Sequence, residues 1–262
     1  MNYDYLQFEQ EGHLAVITLN RPEHMNALHM EMSEELLDAA FRCDTDKRIR
    51  GAVITGAGKM FCAGGDLKTF LAAGDEISGF VTKMATILHA AIARFNRMDP
   101  PVVMAINGTA AGGGFSFALS GDYSIASEQA KFVSAYTSSG LSPDASSTYF
   151  IAKHVGLLRA KELVLTNRVL NAEEALAWGL VSRVVPHDNL MEEALKLGTT
   201  LSNGPTKAYG MAKKLLHTAY SESMESQLEF ESQGIASMMR TKDAQGALKS
   251  FVEKSKPAFS GE

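Results

Sequence analysis

The sequence predicts an α/β protein with a parallel sheet and an α-helical C-terminal section. Three observations carry this expectation. Short apolar runs alternate with helical patterns as far as about residue 185. Two of those runs, GAVITG at 51–56 and VVMAI at 102–106, are too short for helices and are apolar throughout, as buried strands are. From Asn189 onward only helical periodicity remains.

In order along the chain, Tyr3–Phe8 and His13–Leu19 read as strands separated by a hairpin signal at Glu11-Gly12. Pro22 ends the second strand, and residues 30–41 carry an amphipathic helical pattern. After the strand at 51–56 comes a loop containing Gly58, Gly64 and Gly65, then a helical stretch from about Ile77 to Arg97, closed by Asp99-Pro100-Pro101. The strand at 102–106 runs into a glycine-rich segment. Residues 123–126 read as strand, short helices reach about Leu165, and a further strand lies near Leu180–Val185. Three helical segments follow, parted near Gly204-Pro205 and Thr241.

With 262 residues, 45% hydrophobic and 21% charged, the chain can bury a sizeable core. A net charge of −5 without basic clusters argues against nucleic acid or an anionic membrane as partner. The polar start MNYDYLQFEQ is unlike a signal peptide, and no apolar run reaches the length of a membrane span. Cys43 and Cys62 show no metal-ligand or disulfide pattern. The expectation is a cytoplasmic protein with no metal and no cofactor.

The segment AAGGGFSFALSGD (110–122) places three glycines where an apolar helix begins, although glycine disfavours helix by roughly 1 kcal/mol relative to alanine. At a helix start the first N–H groups lack intrahelical partners, and bare backbone would let a ligand oxygen reach them. Close helix–strand packing is the alternative reason for glycine there. A second stretch, GKMFCAGGDLK (58–68), has the same character, so one amide from each loop could meet a single oxygen.

The segments RPEHMNAL, FCAGGDL, INGTAAGGG and ALAWGLVSRVV, in this order and spacing, resemble the crotonase (enoyl-CoA hydratase/isomerase) superfamily over nearly the whole chain. The resemblance implies a spiral of ββα units (1–190) carrying an acyl-coenzyme A site and a helical C-terminal trimerisation region (191–262), assembled as a homotrimer or dimer of trimers. It implies that the N–H groups of Gly65 and Gly113 hold the thioester oxygen. It further places coenzyme A along Ala63 and Asp66, with His24, Met25 and Lys68 nearby. Lys254 and Lys256 are candidates to meet the phosphates of a neighbouring subunit's coenzyme.

The two glutamates of the family's hydratases fall here at Ser116 and Tyr136, neither of which is a base at neutral pH. An acid stands instead at Asp144, in GLSPD, a context similar to that of aspartate-dependent isomerases of the superfamily. One carboxylate suffices to move a proton from C2 to C4 of a 3-enoyl thioester. Asp144 also suits a helix N-cap. The 4-chlorobenzoyl-CoA dehalogenases carry an aspartate at this place as nucleophile and a histidine on the preceding helix, which corresponds to His89; their ring-side tryptophan is Tyr136 here. A third reading is a homologue that binds acyl-CoA without turnover. Phe61, Phe70, Phe80, Phe115 and Tyr136 are candidates for an aromatic-tolerant pocket, and the helix at 224–239 for core and subunit contact.

Overall fold

A computed structural model describes residues 3–262. The chain forms two sheets whose strands alternate along the sequence. The larger has strand order β1-β2-β3-β5-β7-β10, built from β1 (Leu6–Glu11), β2 (Leu14–Leu19), β3 (Gly51–Gly56), β5 (Val102–Ile106), β7 (Tyr123–Ser127) and β10 (Arg183–Val185). Only the β1–β2 hairpin is antiparallel; the other neighbours run parallel. The smaller sheet, β4-β6-β8-β9, consists of two- and three-residue strands: β4 (Met60–Cys62), β6 (Thr109–Ala111), β8 (Lys131–Val133) and β9 (Leu170–Asn171). Each of the pairs β3–β4, β5–β6 and β7–β8 therefore gives one strand to each sheet before the chain moves on, which is the expected ββα spiral.

The helices cover both faces. α1 (Met30–Thr45) and α3 (Ile77–Arg97) pack on one another over the main core, where Leu36, Leu88, Phe95, Phe117 and Phe132 are buried. α7 (Leu190–Ser202) covers the opposite face of the larger sheet, against Leu14, Val53, Val103 and Ile125. Its approach is close because Gly198 has no side chain: a Cβ there would lie 2.8 Å from Val53. By packing, α7 is thus part of the core layer.

Short helices α2 (Leu67–Ala72), α4 (Gly113–Ala118) and α6 (Ala172–Ala177) follow strands of the smaller sheet. α5 (Ser147–Thr166) is broken at Gly156, whose φ of 76° and ψ of 163° are not helical. The C-terminal region holds α8 (Thr206–Thr218), α9 (Met224–Met238) and α10 (Lys242–Val252).

Several boundaries differ from the sequence reading. The first strand is Leu6–Glu11 rather than 3–8, in register with β2 from Leu6–Leu19 to Glu11–Leu14. The helix from Met30 continues to Thr45 because Cys43 supplies another buried position. Leu180 and Val181 are buried but only Arg183–Val185 pairs. The region after Asn189 contains four helices, since the chain also breaks between Thr218 and Met224. Residues 224–239 are not core within this chain: α9 buries only Gly234 and leaves Met224, Leu228 and Ile235 exposed. Among the described residues no helix is long and apolar enough to cross a membrane.

Candidate active site

β4 and β6 lie side by side and parallel, with Met60 opposite Thr109 and Cys62 opposite Ala110. The loops leaving their carboxyl ends therefore emerge together, and these are the two glycine loops. They touch: a Cβ on Gly64 would lie 3.0 Å from the Gly113 nitrogen. Among the described residues, no hydrogen bond uses the N–H of Gly65 or of Gly113. Both glycines line one cavity of about 490 Å³, together with Leu28, Ala63, Phe70, His89, Tyr136 and Asp144.

The three consecutive glycines serve different needs. Gly112 sits at φ 50°, ψ −126°, a conformation closed to side-chain-bearing residues. Gly114 packs so tightly that a Cβ would fall 2.2 Å from the Cys62 carbonyl oxygen. Gly113 has room: its nearest neighbours would be Leu28 at 3.4 Å and the Tyr136 hydroxyl at 3.7 Å. Close packing thus accounts for Gly114, while one residue earlier Gly113 has open space and an unbonded N–H.

Two asparagines fasten the loops. The Asn26 amide donates to the carbonyls of Ala57 and Met60, at 2.9 and 2.8 Å, and accepts from Arg21 N–H at 2.9 Å. Asn107 accepts from Gly56 N–H and donates to Gly58 O. Leu28 then pairs with the first glycine loop, its N–H reaching Gly64 O at 2.7 Å and its carbonyl accepting from Asp66 N. Asp66 caps α2 through Lys68 and Thr69 N–H and forms a buried ion pair with Arg21 at 2.9 Å. Burial alone would raise its pKa, but the Arg21 guanidinium and the two N–H donors outweigh it and hold the carboxyl below its ordinary 3.8.

Of the residues expected to meet coenzyme A, Ala63 lines the cavity, whereas Asp66 does not. The Asp66 side chain, N–H and carbonyl are all occupied within the protein, so its role is to hold the loop. His24, Met25 and Lys68 are exposed, Met25 in the left-handed region with its carbonyl accepting from Ala63 N–H. Lys254 and Lys256 are exposed near the C-terminus, away from the cavity wall. The aromatic expectation is half met. Phe70 and Tyr136 line the cavity, and Phe80 stands edge-on behind Phe70. Phe61 and Phe115 instead belong to the core, against Phe117 and Phe132.

Tyr136 and His89 flank Asp144. The Tyr136 hydroxyl donates to Asp144 Oδ1 at 2.7 Å and lies 3.0 Å from Ser116 Oγ, which in turn lies 3.2 Å from Gly112 O. Burial and the adjacent Asp144 carboxylate push the Tyr136 phenol far above its ordinary pKa, so it acts as a donor. His89 Nε2 stands 3.7 Å from Asp144 Oδ2, yet it accepts the Ala145 N–H at 2.9 Å. That bond fixes the neutral ring with its proton on Nδ1. Ala145 and Ser146 both have positive φ, 51° and 68°, so the backbone turns sharply just after the acid. The N-cap of α5 is Ser146, without a side-chain cap bond, and not Asp144.

Four residues that hold these loops, Arg21, Asn26, Leu28 and Asn107, escaped the sequence reading. They lie within the quoted segments RPEHMNAL and INGTAAGGG, but pairing and charge burial across the fold leave no mark in one sequence.

The model of the enoyl-CoA hydratase/isomerase family matches residues 9–262. The chain belongs to that family. It is 32% identical to the 1,2-epoxyphenylacetyl-CoA isomerase of Escherichia coli, with 98% of this chain and 99% of that protein covered. It is 34% identical to 4-chlorobenzoyl coenzyme A dehalogenase-2 of an Arthrobacter species, covering 88% and 84%. The crystal structure of an enoyl-CoA hydratase from Bacillus anthracis superposes with a TM-score of 0.93 at 31% identity, covering 99% and 100%. In an acyl-CoA enzyme of this family, the cavity between the glycine loops and Asp144 is the candidate active site.

Proposed function

We propose that this enoyl-CoA hydratase/isomerase family member shifts the double bond of a 3-enoyl-CoA to the 2-position. One observation carries the reading. Among the described residues, Asp144 is the sole carboxylate on the cavity wall, and the positions of the two hydratase glutamates hold a serine and a tyrosine. Hydration through two carboxylates lacks its second member, whereas isomerisation needs one acid that takes and returns a proton.

In this mechanism the thioester oxygen receives the N–H groups of Gly65 and Gly113. Asp144 Oδ2, the oxygen not bonded to Tyr136, removes the C2 proton. Negative charge passes to the thioester oxygen as the dienolate forms, where two fixed N–H dipoles stabilise it; one such donor is worth roughly 2.7–4 kcal/mol. The same carboxyl returns the proton to C4. No step calls on a metal or redox cofactor. A homotrimer or dimer of trimers is supported by apolar side chains that α8–α10 leave exposed, among them Leu216, Ile235 and Phe251.

A second reading, hydrolytic dehalogenation of a haloaryl-CoA with Asp144 as nucleophile and His89 as base, draws on the 3.7 Å approach of His89 to Asp144. Against it, the Nε2 lone pair that would accept a proton from water is engaged by Ala145 N–H. The test is ultraviolet detection of a conjugated 2-enoyl thioester from a 3-enoyl-CoA, with wild type and Asp144→Asn. Product formed by the wild type and lost in a variant that still binds supports isomerisation. Binding without turnover by the wild type overturns it and favours a non-catalytic acyl-CoA-binding role. Halide release from 4-halobenzoyl-CoA would select the dehalogenase.

A further inference from the structure

We infer that the groove beyond His89 is a subsite for a carboxylate at the far end of the acyl group, so that the substrate class is dicarboxylic acyl-CoA. The inference rests on the proposed acyl-CoA site. A second cavity of about 770 Å³ lies between α3, α5 and α8, and His89 belongs to the walls of both cavities. The two are lined by one continuous stripe of α3. Thr82, Ala85 and His89 face the first, and His89, Ala93 and Asn96 face the second, at the spacing of three and four residues that keeps side chains on one helix face.

The second cavity is cationic. Arg97 and Lys214 stand in its wall and supply the charge, His217 beside them is a neutral ring at pH 7, and among the described residues no Asp or Glu lines the wall. Lys214 is paired with Asp99 at 2.9 Å, but the exposed Arg97 has no acidic partner within 4 Å among the described residues. Lys153 adds charge at the margin, its Nζ donating to the Tyr149 hydroxyl at 2.7 Å. Burial lowers the pKa of His217, and Lys153, Lys213 and Arg97 push the same way against Asp122. A free guanidinium in such surroundings suits a carboxylate, which it grips with two parallel hydrogen bonds. The stretch leading to it is flanked by Ile92 and Phe150, suited to methylene groups.

Position decides between an acyl carboxylate and a coenzyme phosphate. Val81, which lines the first cavity together with Phe70, and Arg97 are separated along α3 by about 24 Å. The proposed coenzyme segments, Ala63 and Lys68, belong to the Phe70 end. His89 and Asp144 lie between, with Arg97 about 12 Å of helix further on. A chain running from the glycine loops past Asp144 therefore arrives at Arg97 with its distal end.

The experiment is isothermal titration with two saturated, unreactive thioesters, octanedioyl-CoA and octanoyl-CoA. It uses the wild type, Arg97→Ala and Arg97→Lys, and it does not depend on isomerase turnover. The wild type is expected to bind the dicarboxylic thioester about ten-fold more tightly. Arg97→Ala should bring the two affinities together while leaving octanoyl-CoA binding unchanged, which also reports an intact fold. Arg97→Lys should restore part of the preference. Equal wild-type affinities overturn the subsite, as does a preference that survives Arg97→Ala. Equal weakening of both thioesters in Arg97→Ala overturns it too, because the guanidinium then meets the coenzyme. Failure of both thioesters to bind the wild type would overturn the acyl-CoA reading itself, and the subsite with it.

Discussion

The Tyr136 phenol donates a 2.7 Å hydrogen bond to Oδ1 of Asp144 and leaves Oδ2 free of any hydrogen bond among the described residues. The phenol is itself braced by Ser116, at the base of the glycine helix. Tyrosine and serine thus occupy the places of two acids and orient a third. Tyr136→Phe keeps the ring but frees the carboxylate to rotate. It is expected to lower kcat by about ten-fold, equivalent to about 1.4 kcal/mol, with little change in KM. Steady-state kinetics on a 3-enoyl-CoA test this, and an unchanged kcat would remove the orienting role.

The neighbouring glycines give a sharper contrast. An alanine at 114 would place its Cβ 2.2 Å from the Cys62 carbonyl oxygen, and both are main-chain-anchored atoms with little freedom to yield. Gly114→Ala is expected to yield protein that fails to fold or melts far below wild type. Gly113→Ala meets nothing closer than 3.4 Å and should retain the wild-type circular dichroism spectrum. Its methyl would stand in the cavity beside the N–H proposed to hold the thioester oxygen, so activity should fall by at least about 100-fold. A fully active Gly113→Ala enzyme would mean that the thioester does not lie against the Cα of this glycine.

The Arg21–Asp66 pair ties the first glycine loop to acid stability. Its aspartate has a folded pKa below the ordinary value, so its contribution is fully present above the unfolded pKa and is lost as pH falls through the lower, folded one. Urea midpoints measured from neutral to acid pH should show that fall, and the Asp66→Asn curve should lack this component. Removing the carboxylate at neutral pH strands a buried guanidinium, at a cost of about 3–5 kcal/mol. A variant within 1 kcal/mol of wild type, as an order of magnitude for a surface change, would mean the pair is not what holds the loop.

The sequence made the alternation of β3, β5 and β7 with helices readable because each strand is a short stretch of mainly apolar or small residues long enough to register. It hid β4, β6, β8 and β9, which are two or three residues long and too short for any period to register. Those four strands nevertheless set the site, since the adjacency of β4 and β6 brings the glycine loops together. Motif resemblance led to Gly65, Gly113, Asp144 and His89, and all four line one cavity. Phe61 and Phe115, candidates for the pocket from their aromatic character alone, lie in the core, because a buried aromatic and a pocket aromatic are alike until the packing is known. The link from His89 to Ala145 spans 56 residues and involves a backbone N–H, so no side-chain pattern announces it.

That link separates the two chemical readings of His89. The Ala145 N–H is buried, and the bond at 2.9 Å to Nε2 holds the two positive-φ residues that follow Asp144. His89→Ala leaves this donor unpaired, costing about 1–3 kcal/mol, and should loosen the acid. His89→Gln can supply a carbonyl oxygen to the same N–H but no base near neutrality. If His89 positions Asp144 for isomerisation, kcat should fall in His89→Ala and recover largely in His89→Gln. If His89 instead deprotonates water, both variants should release halide only in a stoichiometric burst without turnover and should accumulate an aryl ester on Asp144, visible by mass spectrometry of the intact protein.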